Sequence, residues 1–152
     1  MGLIRPMRVE DASAVLALAK EMHQEGAYAF ISFDNEQFVR TLADCMKNGF
    51  AWVGEADGKV VSGFLAHTSP YFFSREKIAC DYGVFTNKEY RKTRLAFRLL
   101  QQYIKWAKEQ NVKEIMIGAS KGFEKTYADR LGKFLQKRLG FEESGHWYKL
   151  RT

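Results

Sequence analysis

The sequence predicts a mixed α/β fold in which one central sheet is covered by helices. Asp57-Gly58 separates two segments of strand character and is a strong hairpin signal. Residues 77–86 form a β-type run that passes through a basic turn into an amphipathic helix. The predicted order is β-α-α-β-β-β-α-β-α-β, without a repeat, a low-complexity tract or a linker. We therefore expect residues 1–152 to form a single domain.

The chain begins with a predicted strand and a predicted helix. Residues 3–7 make a short strand candidate, and Pro6 indicates a sheet edge or a strand end because proline cannot donate to the ladder. Apolar residues recur at helical spacing over residues 12–24. Asp11 is expected to cap the start of this helix.

A second helix and a hairpin follow. Asp34 is expected to cap a helix over residues 35–47, and Asn48-Gly49 ends it. Residues 50–56 and 59–67 are then expected to form the two strands that the hairpin turn joins.

The second half of the chain predicts two strands and two helices around the basic turn, and then a last strand. The run at residues 77–86 is rich in β-branched and aromatic residues, which favours a strand. The helix after the turn has an apolar stripe formed by Leu95, Leu99, Tyr103, Trp106 and Ala107. The remaining predicted elements are a strand at 112–118, a helix at about 127–138 closed by Leu139-Gly140-Phe141, and a strand at 144–150.

Positive charge is concentrated in the second half of the chain. Residues 1–86 carry 8 Lys+Arg and 11 Asp+Glu, whereas residues 87–152 carry 16 and 7. The basic half begins at the turn, which carries Lys88, Arg91, Lys92 and Arg94. Free N–H groups and the helix dipole already favour an anion at a helix start, and these cations add to that preference. The pattern suits a polyanionic cofactor or a nucleic acid.

Composition limits the possible function classes. With 46% hydrophobic and 28% charged residues, the chain is expected to be globular. No apolar run approaches the roughly 20 residues that span a bilayer, and the N-terminus has no apolar signal core, so we expect a cytoplasmic protein without a membrane partner. Cys45 and Cys80 are isolated and are interpreted as ordinary buried thiols. No cluster of ligand-type residues suggests a metal.

Two motifs resemble the GNAT superfamily of N-acetyltransferases. In that family a strand is followed by a segment similar to Pro-Glu-Tyr-Arg and then by Arg/Gln-x-x-Gly-x-Gly/Ala. The corresponding segments here are Lys88-Glu89-Tyr90-Arg91 and Arg91-Lys92-Thr93-Arg94-Leu95-Ala96. The family motif Leu-Tyr-x-x-x-Gly-Phe is similar to Leu135-Gln136-Lys137-Arg138-Leu139-Gly140-Phe141. The resemblance covers nearly the whole chain. It implies a GNAT fold with a central mixed sheet of about six to seven strands, splayed in the middle and flanked by about four helices.

The chain departs from the family pattern at two positions. Family members usually place glycine where this chain has Arg94, because glycine lets backbone amides close on the pyrophosphate. A helical conformation at Arg94 would need no glycine, and its side chain would add charge; the alternative is a cofactor site that has lost its function. Gln136 stands where many members have a tyrosine that donates to the coenzyme A sulfur.

The resemblance implies an acetyl-CoA-dependent N-acetyltransferase in which an amine attacks the thioester directly. The pyrophosphate would lie on the amides of residues 92–97, with Arg91 and Arg94 neutralising its charge. Gly83 interrupts a strand, which often marks a bulge or a close backbone approach, although tight packing beneath an aromatic ring is the alternative. The family splays this strand and frees an amide that polarises the thioester carbonyl. The implied cofactor-binding residues are Gly83, Val84, Phe85, Thr86, Arg91, Lys92, Thr93, Arg94, Leu95, Ala96, Phe97 and Gln136.

Asp81 and Tyr127 are the predicted catalytic residues. Asp81 lies two residues before Gly83 on the strand expected to reach the cleft, and is the first candidate for general base. A surface carboxylate or a salt bridge is the alternative for Asp81. Tyr127 opens the helix that should flank the thiol and could replace the missing tyrosine as general acid. His67 and Tyr148 are weaker candidates for proton transfer.

The acceptor is expected to be an amine of a small molecule or a protein. In this family it is shaped by the first two helices, their connecting loop and the middle hairpin, and both regions are aromatic here. Such side chains suit an apolar or cationic amine, or a homodimer surface. The expected substrate-binding residues are Tyr28, Phe30, Phe33, Tyr71 and Phe72.

Two alternative hypotheses stay open. The acceptor could be aminoacyl-tRNA, as in the toxin branch of the superfamily, and the basic half of the chain fits this. The protein could instead be a non-catalytic module that binds a nucleotide or a nucleic acid through the same turn. A nucleic acid is not favoured, because no recognition-helix motif appears and the basic residues are not interleaved with aromatic ones.

Overall fold

One mixed sheet organises the first 118 residues. The structure, a computed structural model, describes residues 2–119 and 127–152, and for Tyr127 the backbone alone. The described elements, in chain order, are β1 Leu3–Pro6, α1 Ala12–Glu25, α2 Asn35–Asn48, β2 Phe50–Ala56, β3 Lys59–Pro70, β4 Lys77–Thr86, α3 Leu95–Glu109, β5 Glu114–Met116 and α4 Tyr127–Leu139. Residues 1–118 form one compact unit, which holds the sheet and α1–α3, and residues 119–152 form a second unit, which holds α4. That the whole chain acts as one domain stays a prediction.

The strands follow one another across the sheet in the order β1-β2-β3-β4-β5. The first three pairings are antiparallel and the β4–β5 pairing is parallel, with α3 as the crossover between those two strands. The β2–β3 hairpin forms as predicted. Asp57 and Gly58 have φ angles of +52° and +75°, the two positive values that a tight hairpin turn of this hand requires.

The two predicted helix caps differ in outcome. Asp34 caps α2 as expected, because its carboxylate accepts the Gln37 N–H at 3.0 Å. Asp11 does not cap α1. Its carboxylate instead accepts the Arg8 N–H at 2.8 Å and two bonds from the Arg5 guanidinium at 2.7 and 3.0 Å. A short 3-10 turn before α1 brings Asp11 back toward the first strand, and the ion pair replaces the cap.

Both faces of the sheet are covered. Because successive strand residues face opposite sides, neighbouring residues contribute to different cores. On one face, side chains of α1 and α2 meet those of β2 and β3 in a cluster made of Met7, Val15, Leu42, Cys45, Ala51, Val53 and Leu65. On the other face, the Tyr103 ring of α3 lies 5.8 Å from Phe50 and 5.0 Å from Phe64, measured between ring centroids. Burial of each Val, Leu, Phe or Met side chain in these cores stabilises the fold by roughly 1.5–3 kcal/mol.

Two strand predictions need correction. The strand predicted at 112–118 is limited to Glu114–Met116, and residues 144–150, predicted as a strand, are not one in the structure. The described chain therefore has five strands instead of six to seven, while the four helices agree with the prediction. Residue types that favour a strand show only that a segment could be one, since the strand itself exists only where a neighbour pairs with its backbone.

Candidate functional site

A bulge interrupts β4 where the sequence predicted it. Asp81 pairs with Ala66 and Gly83 with Leu65, so Tyr82 is one residue more than β3 can pair. Gly83 has a φ of +153°, which side-chain-bearing residues rarely adopt. A Cβ atom at this position would come no closer than 3.4 Å to the Phe85 ring. Backbone conformation, and not tight packing, therefore explains the glycine.

The same strand loses its second neighbour next to the bulge. The β4–β5 pairing ends at Cys80 and Met116. One residue further along β4, the Asp81 carboxylate accepts the Gly118 N–H at 2.9 Å. Within the described chain, the part of β4 beyond Cys80 pairs with β3 alone. The described β4 and β5 therefore separate at the middle of β4, next to the bulge.

Asp81 is a half-buried ionisable group next to the bulge. Burial raises the pKa of its carboxyl group, and hydrogen bonds from the backbone of Gly118 and Asp81 and the charge of His67 oppose that shift. Burial of Tyr103, a residue of α3, raises the pKa of its hydroxyl group, and the nearby charge of Asp81 adds to that shift. A raised pKa makes a carboxylate a better proton acceptor, so Asp81 is a candidate general base.

His67 and Tyr82 stand together beside the bulge. Their rings stack with centroids 4.4 Å apart at an interplanar angle of 24°. The Nδ1 atom of His67 is buried and has no hydrogen-bond partner among residues 2–119 and 127–152. Sequence reasoning missed the exposure of Tyr82, which follows only from the extra residue in the ladder; Gly83 was the signal for that irregularity.

The basic turn between β4 and α3 is held by neighbouring elements. The Asn87 N–H donates to the Val61 carbonyl at 2.9 Å, and the Tyr90 hydroxyl donates to the Asp57 carboxylate at 2.6 Å. Arg94 precedes α3 with φ −86° and ψ 3°, so the backbone there needs no glycine. Leu95 is buried, and its backbone N–H donates to the Thr93 hydroxyl at 3.4 Å.

The cations of the turn divide into two kinds. Arg91 is engaged within the protein, donating through Nε to the Thr86 carbonyl at 3.1 Å and through Nη1 to the Glu25 carboxylate at 2.9 Å. Lys92 and Arg94 are exposed and make no ion pair with the described part of the chain. The structure thus assigns Arg91 a bracing contact that the sequence did not reveal, and leaves Lys92 and Arg94 facing solvent at the start of α3.

The other predicted cofactor residues are less uniform. Thr86 is buried, and its hydroxyl forms a 2.8 Å hydrogen bond with Ser62, so its side chain is already satisfied inside the sheet. Thr93 is exposed and donates its hydroxyl to the Tyr90 carbonyl at 2.7 Å. Val84, Phe85, Ala96 and Phe97 are half-buried.

The structure brings part of the predicted acceptor region to the bulge. Ring contacts run from His23 to Phe33, from Phe33 to Phe38 and from Phe38 to Phe85, with centroid distances of 5.3, 5.5 and 5.9 Å. Phe33 is therefore linked to β4 two residues from Gly83. Tyr28 and Phe30 are about half exposed in the same α1–α2 loop.

Tyr71 and Phe72 lie elsewhere, at the turn between β3 and β4. The Tyr71 hydroxyl donates to the Glu114 carboxylate at 2.6 Å, and Phe72 is fully exposed. Four ladder positions, about 13 Å at 3.3 Å per residue, separate this turn from the bulge. The structure thus does not bring these two side chains to the bulge.

The second unit contains two predicted site residues. Tyr127 is the first residue of α4, and its side chain lies outside the described part of the protein. Gln136 is exposed on the same helix.

Among the residues that the structure describes, no group of three or more His, Cys, Asp or Glu side chains could hold a metal ion. No helix of the described chain has the length and apolar character needed to cross a bilayer.

Comparison with known proteins identifies one family. The model of the acetyltransferase (GNAT) family matches residues 13–141. A search of curated proteins found no match.

Solved structures of similar fold cover nearly the whole chain. An acetyltransferase of Trypanosoma brucei superposes with a TM-score of 0.72 at 17% identity, covering 100% of both chains. A predicted acetyltransferase of Clostridium acetobutylicum, solved with acetyl-CoA, gives 0.70 at 19% identity, covering 99% of this chain and 96% of that one. A ribosomal-protein-alanine N-acetyltransferase of Brucella melitensis gives 0.73 at 14% identity, covering 100% and 99%. At these identities the likeness shows the fold alone.

Proposed function

The chain belongs to the GNAT acetyltransferase family, and from that premise we propose that it transfers an acetyl group from acetyl-CoA to a primary amine. The observation that carries the proposal is the sequence of features along one segment: the bulge at Gly83, the open edge of β4, and two exposed cations at the start of α3. The backbone N–H of the bulge would polarise the thioester carbonyl, and the cations at the start of α3 would bind the pyrophosphate.

The residues present fit an acetyl-CoA molecule. The start of α3 combines the backbone N–H groups of a first helical turn with the exposed side chains of Lys92 and Arg94, a combination suited to a pyrophosphate. Among the described strands only β3 pairs with β4 beyond Cys80, and we propose that an extended chain such as pantetheine lies along the other edge. Bound acetyl-CoA would supply an acetyl group activated as a thioester. Gln136 of the second unit is proposed as a further contact, where related enzymes have a tyrosine.

The proposed reaction forms a C–N bond and breaks a C–S bond. The amine nitrogen attacks the acetyl carbon, a backbone N–H at the Gly83 bulge stabilises the charge that develops on the carbonyl oxygen, and the sulfur leaves as a thiolate. Asp81 accepts the proton that the ammonium must lose, directly or through water. We propose Tyr127 as the donor of a proton to the thiolate.

The acceptor would approach from the aromatic α1–α2 loop. Phe33 is linked through Phe38 to Phe85, and Tyr28 and Phe30 belong to the same loop. We propose that these aromatic side chains bind an apolar or cationic amine. Tyr71 and Phe72 would contact only an acceptor long enough to reach from the bulge to the β3–β4 turn, such as a peptide.

Calorimetric titration with acetyl-CoA, free CoA and ATP tests the cofactor assignment. Micromolar binding of both CoA species, weakened at least tenfold by exchanging Lys92 and Arg94 for glutamate, is the expected result. Replacing exposed Lys108, near the other end of α3, with glutamate is the matched control and should leave binding unchanged. A wild-type protein that does not bind CoA would refute the proposal. Positive binding would be followed by an amine screen that records release of the thiol.

Aminoacyl-tRNA is a second candidate acceptor, because the charge of residues 87–152 favours a polyanionic partner. At saturating acetyl-CoA, acetylation of aminoacyl-tRNA would fall steeply as salt is raised from 50 to 200 mM, whereas acetylation of a small amine would not. A flat salt dependence with aminoacyl-tRNA would exclude this candidate.

A further inference from the structure

An ion-pair cluster joins the end of α1 to the basic turn. The Glu25 carboxylate accepts from Arg91 Nη1 at 2.9 Å and lies 3.2 Å from Lys88 Nζ, although 66 and 63 residues separate them in sequence. The side chains of Glu25 and Arg91 are only 17% and 20% exposed. Partial burial strengthens their attraction relative to the exposed ion pairs of the surface.

Arg91 connects Glu25 to the basic turn, because it also forms a hydrogen bond with the end of β4. Its Nε donates to the carbonyl of Thr86, the last residue of β4, so one guanidinium connects a helix end, a strand end and the turn that follows. Burial would raise the pKa of the Glu25 carboxyl group, but the hydrogen bond from Arg91 and the nearby charges of Arg91 and Lys88 outweigh it and lower that pKa. The carboxylate is thus charged, as the brace requires.

Glu25 is also the residue from which the α1–α2 loop departs. It ends α1, Gly26 follows, and residues 26–34 lead to α2. This loop carries Tyr28, Phe30 and Phe33, the side chains proposed to bind the acceptor. Its first residues are therefore fixed to the turn proposed to bind the cofactor.

We propose that Glu25 is a positioning residue that couples cofactor binding at the basic turn to the order of the α1–α2 loop. Occupation of Lys92 and Arg94 by the CoA phosphates rigidifies the turn, the Arg91–Glu25 contact holds the end of α1 against it, and the loop becomes more ordered. By reciprocity, ordering of the loop by an acceptor raises the affinity for CoA by the same factor. The inference rests on the proposed cofactor site, but the effect of the Glu25–Arg91 contact on the order of the α1–α2 loop can be measured without a ligand.

Hydrogen exchange of the backbone amides of residues 27–33 tests the coupling. In the free protein, Glu25→Gln should speed their exchange, because a neutral amide holds Arg91 more weakly. With saturating CoA, the wild-type loop should exchange about fivefold more slowly, at the lower end of coupling strengths. In Glu25→Gln the CoA effect should fall below twofold, while calorimetry still shows CoA binding within threefold of wild type. Glu25→Asp, which keeps the charge with a shorter reach, should give an intermediate effect.

The matched control is Glu76→Gln, which neutralises one side of an exposed ion pair with Lys113 at 3.2 Å. It should leave both exchange rates of the loop as in wild type. If, without ligand, the loop amides of Glu25→Gln exchange at the same rate as those of Glu76→Gln, the Glu25–Arg91 contact does not order the loop. The inference is then wrong, whatever the effect of CoA. If the wild-type protein binds CoA and the loop does not respond, the coupling is wrong although the proposed function stands. Failure of the wild type to bind CoA refutes the proposed function. Faster exchange in unliganded Glu25→Gln would then support only the part of the inference that the Glu25–Arg91 contact orders the loop.

Discussion

Asp81 holds Gly118 through a 2.9 Å hydrogen bond where β4 and β5 cease to pair. This hydrogen bond follows the last backbone pair between β4 and β5, Cys80 with Met116, and lies at the point where the two strands separate. One carboxylate therefore has a structural contact and, in the proposed reaction, the role of a proton acceptor. A substitution that keeps the contact and removes the basicity can separate the two.

Asp81→Asn should keep the bond to Gly118 and lower the rate of acetyl transfer by about 10²–10⁴-fold, the usual contribution of a general base. It should also stabilise the protein at neutral pH. Since burial raises the folded-state pKa of Asp81, ionisation weakens the native state of the wild type. The gain in melting temperature of the Asp81→Asn variant should be absent below the unfolded pKa, grow as pH rises, and be complete above the folded value.

Thermal melts at several pH values, together with kcat, check this prediction. Asp44, an exposed carboxylate that accepts from Asn48 at 2.8 Å, provides the control substitution Asp44→Asn, which should show no such pH-dependent gain. An Asp81→Asn protein with wild-type kcat would remove Asp81 from the proton path and leave it the structural contact only.

Gly83→Ala should destabilise the protein by about 1–3 kcal/mol, the range for a residue forced into a rare backbone conformation. The φ of +153° is the cause, because the added methyl group meets no atom closer than 3.4 Å. Relaxation of the bulge would also displace the backbone N–H proposed to polarise the thioester, so kcat should fall more than CoA affinity. Chemical denaturation and steady-state kinetics measure the two effects. Gly132→Ala, at an α4 position where a Cβ atom is clear of contacts, should cost no stability.

The sequence predicted local features well and long-range contacts poorly. The bounds of β4 and the hairpin at Asp57-Gly58 follow from residue type and spacing, and the structure confirms them. The brace between Glu25 and Arg91 could not be predicted, because no local pattern connects residues 66 positions apart. The missing strand at 144–150 shows the opposite error, since residue types that favour a strand do not by themselves supply a pairing partner.

Asp11 offers the same lesson at the start of the chain. The residue type and position favoured a helix cap, but Arg5, also visible in the sequence, competes for the carboxylate. Two charge-assisted hydrogen bonds from one partly buried guanidinium are worth more than a single capping bond from a backbone N–H, so the tertiary contact decides. For the candidate site, the glycine signal at Gly83 was sufficient to find the bulge, while the exposure of Tyr82 required the ladder itself.

Asp11→Ala should destabilise the protein by about 3 kcal/mol, because it leaves a partly buried Arg5 with Glu55 as its remaining acidic partner. The hydrogen bond from Arg5 is the main reason that the pKa of Asp11 is lowered in the folded state. The stability contributed by Asp11 is therefore present above the unfolded pKa, near 4, and lost as pH falls through the folded value. Denaturation curves should accordingly show wild type and Asp11→Ala converging in acid. A difference that is constant from pH 2 to pH 7 would mean that packing, and not the ion pair, is lost.

Lys92 and Arg94 should dominate CoA affinity, whereas Arg91 should not. Arg94→Ala should weaken CoA binding by roughly tenfold, since a charge-assisted bond to phosphate contributes about 1.5–3 kcal/mol. Arg91→Lys keeps the charge but loses the guanidinium contacts to Glu25 and Thr86, so it should destabilise the turn while changing CoA affinity less than threefold. The salt dependence separates the two cases, because removal of a phosphate contact reduces the slope of log affinity against log salt and removal of a brace does not. Calorimetry at 50, 100 and 200 mM salt measures that slope. An unchanged slope in Arg94→Ala, together with a more than tenfold loss of CoA affinity in Arg91→Lys, would reverse the assignment and place Arg91 on the phosphates.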